Sequence, residues 1–237
     1  MKQAKRGFVP SDEREFGEES IEKLRIAAKD VYYLINHGYP VTGATRFVGD
    51  HYLFSERQRL ALARSVSQGE KIASRLSREV GAIEGETLYI DGFNVIIGLE
   101  IAYSESLLFY CMDGTVRDLA GLRGTYRLIP ETDMAVKALL ETLDELKVGK
   151  AVIYLDRPVS NSGRLKQKIM DYASSMSFET EVIIEDAVDY ELKQQPLVAS
   201  GDAIILDECD KWFNLVKCVI RRRIGEYPYI NIWGGEL

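Results

Sequence analysis

Beyond Gly85 the chain alternates short runs rich in Val, Ile, Leu and Tyr with longer stretches of helical character, and this rhythm limits the fold more than any other feature. The runs are 87–91, 151–155, 180–184 and about 197–200. Apolar runs of that length read as strands buried on both faces of a parallel sheet. A last strand is predicted near Val216–Ile220. Helices are predicted over 131–147, with Met134, Leu139, Leu140, Leu143 and Leu146 on the apolar side, over about 163–176, from near Ala187, and over 208–214. Strand and helix in alternation predict an α/β domain in three layers around a parallel sheet.

Four of the runs end in an aspartate, at the end of the run or just beyond it: Thr87-Leu-Tyr-Ile-Asp91, Ala151-Val-Ile-Tyr-Leu-Asp156, Val182-Ile-Ile-Glu-Asp186 and Leu197-Val-Ala-Ser-Gly-Asp202. Parallel strands deliver their carboxyl ends to one crevice, where ligands bind. Aspartates gathered there repel one another unless a cation joins them, and Mg²⁺ or Mn²⁺ suits carboxylate oxygen. Asp91, Asp189 and Asp202 are the candidate catalytic ligands, with Asp156 and Asp186 as further metal ligands or water-positioning groups. For each of them the competing role is an ordinary helix N-cap or turn aspartate.

Residues 1–82 have a different character. Ile21, Leu24, Ala28, Val31 and Ile35 predict an amphipathic helix over 18–37, broken at His37-Gly38-Tyr39-Pro40. A short helix or turn follows over 42–50, and a long polar helix is predicted from Ser55 to about Val80, interrupted near Gly69. This part carries 14 Lys and Arg against 11 Asp and Glu, net +3, whereas the remainder carries 16 against 26, net −10. The expected organisation is therefore a helical domain over 1–82 and an α/β domain over 83–237. On a continuous helix Arg57, Arg64, Lys71, Arg75 and Arg78 lie within about 60° of one another, a stripe suited to a phosphate backbone. The segment Tyr103 to Pro130 adds Arg117, Arg123, Arg127 and Tyr126, guanidinium forks for phosphate and a ring for stacking. Pairing of Arg117 and Arg123 with Asp113, Asp118 or other acids is the equal alternative.

Asp91-Gly-Phe-Asn94-Val resembles the first motif of the PIN-like ribonucleases, in particular their NYN branch, where a strand ends in Asp-Gly-x-Asn. Ala151–Asp156 resembles that family's second strand, Glu185-Asp186-Ala-Val-Asp189 the acidic start of a helix after the third, and Ala199-Ser200-Gly201-Asp202 its fourth-strand motif. The likeness covers about residues 85–220. The whole chain is similar to an uncharacterised prokaryotic family that joins a helical N-terminal domain to a PIN-like (Rossmann-like) domain. The resemblance implies a Mg²⁺- or Mn²⁺-dependent ribonuclease acting on single-stranded RNA, with Asn94 orienting Asp91 or touching phosphate and Ser200 bonding a metal carboxylate. It departs from the family in the long Tyr103–Pro130 segment, in Gly201 directly before Asp202, and in the lack of Arg or Lys beside the fourth motif. A non-catalytic binding module with the same fold is therefore the alternative. A haloacid-dehalogenase-like phosphatase requires a second acid where Phe93 stands.

No apolar stretch approaches the roughly 20 residues of a membrane span, and Met1-Lys-Gln-Ala-Lys-Arg6 leads into charge, so a cytoplasmic protein is expected, with a homo-oligomer left open. Cys111, Cys209 and Cys218 read as buried or half-buried free thiols, and His37 and His51 are too few for a histidine metal site.

Overall fold

The computed structural model describes residues 5–121 and 124–235. In chain order its elements are α1 (Asp12–Glu15), α2 (Glu18–Asn36), α3 (Val41–His51), α4 (Glu56–Ser65), α5 (Gly69–Arg78), β1 (Thr87–Asp91), α6 (Gly92–Tyr103), β2 (Phe109–Tyr110), β3 (Val116–Arg117), α7 (Pro130–Glu145), β4 (Lys150–Asp156), α8 (Ser162–Ala173), β5 (Glu179–Glu185), α9 (Val188–Lys193), β6 (Val198–Ala199), α10 (Ala203–Leu206) and α11 (Leu215–Arg223). Two compact units divide the chain. One takes the residues up to Ser77, Ser106–Ala120 and those from Pro228; the other takes Arg78–Glu105 and Gly121–Tyr227. The division departs from a single cut at residue 82, because the predicted insertion splits: its first part folds with the helices, and so does the C-terminal tail.

In the first unit α2 buries Leu24, Ala27, Ala28, Val31 and Ile35, the face that the sequence periodicity implied, against α3 and α4. Each such fully buried Leu, Ile or Val contributes about 1.5–3 kcal/mol. Phe109, Cys111 and Leu119 of the β2–β3 hairpin region, with Ile230 and Ile232 of the tail, complete this core. Trp233 Nε1 donates to the Tyr110 carbonyl at 2.9 Å, and the two rings stack. A single helix over 55–80 does not form. Ser55 and Gln58 close a capping box at the start of α4, but Val66 is extended, and the Gly69 amide donates to Asn36 Oδ1 at 3.0 Å to begin α5 afresh.

The unit's ionic centre is Asp113, fully buried. It accepts from Arg75 Nη1 and Arg117 Nη2, both at 2.6 Å, and from the Thr115 hydroxyl at 2.6 Å. Burial opposes the charge, yet Arg117, Thr115 and Arg75 together hold the carboxyl below its ordinary value.

The second unit is built on a parallel sheet in the order β5-β4-β1-β6, with Asp91 opposite Tyr154 and Asp156 opposite Glu185. Val152 and Tyr154 face α9 and α10, packing with Val188, Leu192, Ile205, Leu206 and Trp212. Ile153 and Leu155 point to the opposite face, where α6 lies. Helices thus cover the sheet on both sides. A β-carbon at Gly92 would stand 2.7 Å from the Tyr154 carbonyl oxygen, so glycine here lets α6 start directly against β4.

Three expectations fail in this unit. Val216–Ile220 is part of α11, not a strand, and packs against α6 and α7. Residues 208–214 form no helix; Trp212 bridges to Val198 and Glu79. Helix α6 has no counterpart among the predicted elements, and Met134 is half exposed although the periodicity of α7 places it inside.

Replacing Asp113 with Ala leaves two buried guanidinium groups without their carboxylate, and urea denaturation should show a loss of about 3–5 kcal/mol. A loss under about 1 kcal/mol would mean that the ion cluster is not a structural centre.

Candidate functional site

Because the strands run parallel, β1, β4 and β6 bring Asp91, Asp156 and Asp202 to one edge of the sheet, with Asp189 in the first turn of α9. Asp91 is 7% exposed. Its Oδ2 accepts from the Ser200 hydroxyl at 2.8 Å and its Oδ1 from the Asn94 amide at 3.2 Å, so it caps α6. The Ser200 oxygen accepts in turn from the Asp202 amide at 3.0 Å, and Asn94 Oδ1 accepts from the Gly201 amide at 2.8 Å. Asp202 caps α10 by accepting from the Ile204 amide at 2.8 Å. The ends of β1 and β6 are therefore tied twice, and two candidate catalytic residues also serve as helix caps.

Burial, with further repulsion from Asp156 and Asp202, pushes the Asp91 carboxyl up to about 7, against the Ser200 and Asn94 hydrogen bonds that lower it. Asp156 is raised by burial and by Asp189, and Asp189 by burial and by Asp202. Burial is the larger cause at each of these three raised positions, with the neighbouring carboxylates adding to it. Their oxygen donors suit a hard divalent ion. Among the described residues, however, no group of three or more His, Cys, Asp or Glu side chains is arranged to hold one. Asp186 stands apart: it is exposed and paired with Arg157 at 3.1 Å.

The nucleic-acid residues expected from sequence are dispersed. Arg57 forks onto Asp12, Arg64 donates to the Asp118 carbonyl, and Arg75 is buried on Asp113. Arg78 donates to the carbonyls of Leu206 and Cys209, while Lys71 is exposed. With α4 and α5 separate helices, the continuous stripe does not exist. Arg117 is held by Asp113, the alternative weighed for it. Arg123 lies outside the described residues, and Arg127 is exposed. Tyr126 offers no stacking face: it is fully buried, and its hydroxyl donates to Glu100 Oε1 at 2.6 Å. Glu100, fully buried within α6 and also bonded by Thr132, is a polar centre that sequence reasoning missed, since an acid inside an apolar helix carries no motif. Cys111 and Cys209 are buried and Cys218 is partly exposed, all as free thiols. No helix among the described residues is long and apolar enough to cross a membrane.

The profile of a family described as "Domain of unknown function (DUF5616)" matches residues 80–218, and that of "Protein of unknown function (DUF434)" matches residues 23–78. An uncharacterised protein of Methanocaldococcus jannaschii, MJ0935, is 39% identical over 189 residues, covering 79% of this chain and 89% of that relative. No solved structure matches.

The raised Asp91 carboxyl has a definite effect on stability. The folded chain keeps a proton that the unfolded chain releases, so this contribution is complete below about pH 4 and is lost as the pH rises to about 7. Asp91→Asn does not titrate. Relative to the parent chain it should gain about 1.4 kcal/mol per pH unit across that window, read by denaturation at pH 5 and pH 7. An equal difference at both values would mean that Asp91 titrates as an ordinary carboxyl.

Proposed function

The chain belongs to the DUF5616 family, and from the geometry of its acidic sheet edge we propose that it is a Mg²⁺- or Mn²⁺-dependent hydrolase of phosphodiester bonds in single-stranded RNA. The observation that carries this reading is the gathering of Asp91, Asp156 and Asp202 at the carboxyl ends of parallel strands, with Asp189 in the first turn of α9. Uncompensated, such a grouping is unfavourable, and a divalent cation is the simplest compensation. The likeness of the four motifs to PIN-like ribonucleases belongs to the same reading.

A bound divalent ion would supply an activated water and positive charge for the phosphoryl oxygens. The chain's own residues divide the remaining work. Asp91 is fixed by Ser200 and the Asn94 amide, so its carboxyl keeps one orientation, and near pH 7 it can hold or release a proton. Asp189 and Asp202 stand toward solvent, where a phosphate has access. Tyr190 and Ile204, which follow them in sequence, are exposed and give apolar surface for a base beside the acids. The capping roles of Asp91 and Asp202 favour the second reading, a binding module of the same fold without turnover.

Millimolar Mn²⁺ should raise the melting temperature of the parent chain by mass action and do so less in Asp91→Asn. Cleavage of 5′-labelled single-stranded RNA should require the ion and fall at least about 100-fold in Asp91→Asn and Asp202→Asn, whereas Asp186→Asn, at the Arg157 pair, should retain most of it. Stabilisation by Mn²⁺ without cleavage would establish the binding module instead; no response to Mn²⁺ would remove the metal from both readings.

A further inference from the structure

The arginines of α4 are committed within the first unit, but unpaired cations stand elsewhere in it, on the outer surface of the α2–α3 hairpin. Opposite the buried face of α2, Lys29, Tyr33 and His37 follow at four-residue spacing and form one exposed stripe. Tyr33 is 62% exposed, and its ring lies 4.1 Å from that of His37. Tyr39, in the turn to α3, is 58% exposed. Within α3, Ala44, Thr45 and Val48 are buried, while Arg46 and Phe47 are turned outward, Phe47 at 70% exposure. Gly43 lies one turn before Phe47, and a side chain there would meet nothing within 4 Å, so the surface beside that ring is open.

Among the described residues this surface carries two cations outside any ion pair, Lys29 and Arg46, against one such acid, Asp30. Asp30 accepts from the Tyr52 hydroxyl at 2.8 Å, and Asp50 is paired with Arg59 at 2.7 Å. No ion pair engages Lys29 or Arg46 among the described residues. Open aromatic rings beside a net positive charge are what a strand with unstacked bases requires, the rings for base faces and the cations for phosphates. A duplex hides its base faces, and a second copy of this surface would set Lys29 and Arg46 against their own kind. We propose that the outer surface of the α2–α3 hairpin binds single-stranded nucleic acid through Tyr33, Tyr39 and Phe47 as stacking rings and Lys29 and Arg46 as phosphate contacts.

This site lies within the first unit and is tested where hydrolysis is stopped, with the full chain in EDTA. Fluorescence anisotropy with labelled 12-nucleotide RNA and DNA single strands should show binding at least about tenfold tighter than to a duplex of the same sequence. Tyr33→Ala/Phe47→Ala should weaken it about tenfold or more, and Tyr33→Phe/Phe47→Tyr should restore it, because any aromatic face stacks. Lys29→Gln/Arg46→Gln should flatten the dependence of log K on log salt by about 1.4, two phosphate contacts on a single strand. Equal affinity for the duplex, or no effect of the alanine pair, would overturn the proposal. So would binding to phosphatidylserine vesicles, or a sedimenting dimer, that the alanine pair abolishes in place of strand binding. RNA preferred over DNA, or equal binding of both, each fits the site and fixes which strand it takes.

Discussion

The Ser200 hydroxyl donates to Asp91 while accepting from the Asp202 amide, and the second unit's site depends on this one oxygen. It ties the end of β1 to the segment after β6, and the Asn94–Gly201 bond repeats the tie one step further out. Strand pairing between β1 and β6 spans only Tyr89–Val198 and Ile90–Ala199, so side chains continue the sheet where backbone pairing stops. The same bonds direct the Asp91 carboxyl. Gly92 then lets α6 depart against β4, which holds the aspartate in a dry position.

That dryness sets the electrostatics. A carboxylate deprived of water favours its neutral form, and Asp156 and Asp202 add to the effect. Ser200 and the Asn94 amide oppose it without cancelling it. The first unit shows the opposite balance: Asp113 is as deeply buried, yet two guanidinium groups and a hydroxyl keep it ionised. Burial alone therefore does not mark a reactive carboxyl in this chain. Asp113 has its cations built in, and Asp91 has none among the described residues.

Much of the second unit was legible because a buried parallel strand has few ways to be written. Four strands fall within two residues of their expected bounds, and parallel order brings Asp91, Asp156 and Asp202 to one edge, while Asp186 turns away to Arg157. What failed has particular causes. Helix α6 is apolar almost all round, so it shows no 3.6-residue contrast. Val216, Val219 and Ile220 carry β-favouring side chains, but packing on α6 and α7 decides for helix. Arg117 takes Asp113 four residues away, the pairing that the sequence already offers, whereas Tyr126 and Arg75 suit exposed chemistry but are buried by long-range partners, Glu100 and Asp113. No local pattern announces such partners. The exposed rings and cations of α2 and α3 form no local motif, whereas the stripe of α4 and α5 exists on a helical wheel but not in three dimensions.

Burial and its acidic neighbours keep the Asp91 carboxyl mostly protonated below about pH 7, and under the proposed function a divalent ion would displace that proton. Carbon-13 NMR of labelled aspartate side chains, assigned through Asp91→Asn and titrated from pH 4 to pH 9 with and without Mg²⁺, reads this directly. The account expects a midpoint at about 7 without the ion and a midpoint lowered by about one unit or more with it, since a nearby cation favours the ionised form. A midpoint near 4 in both conditions would contradict it.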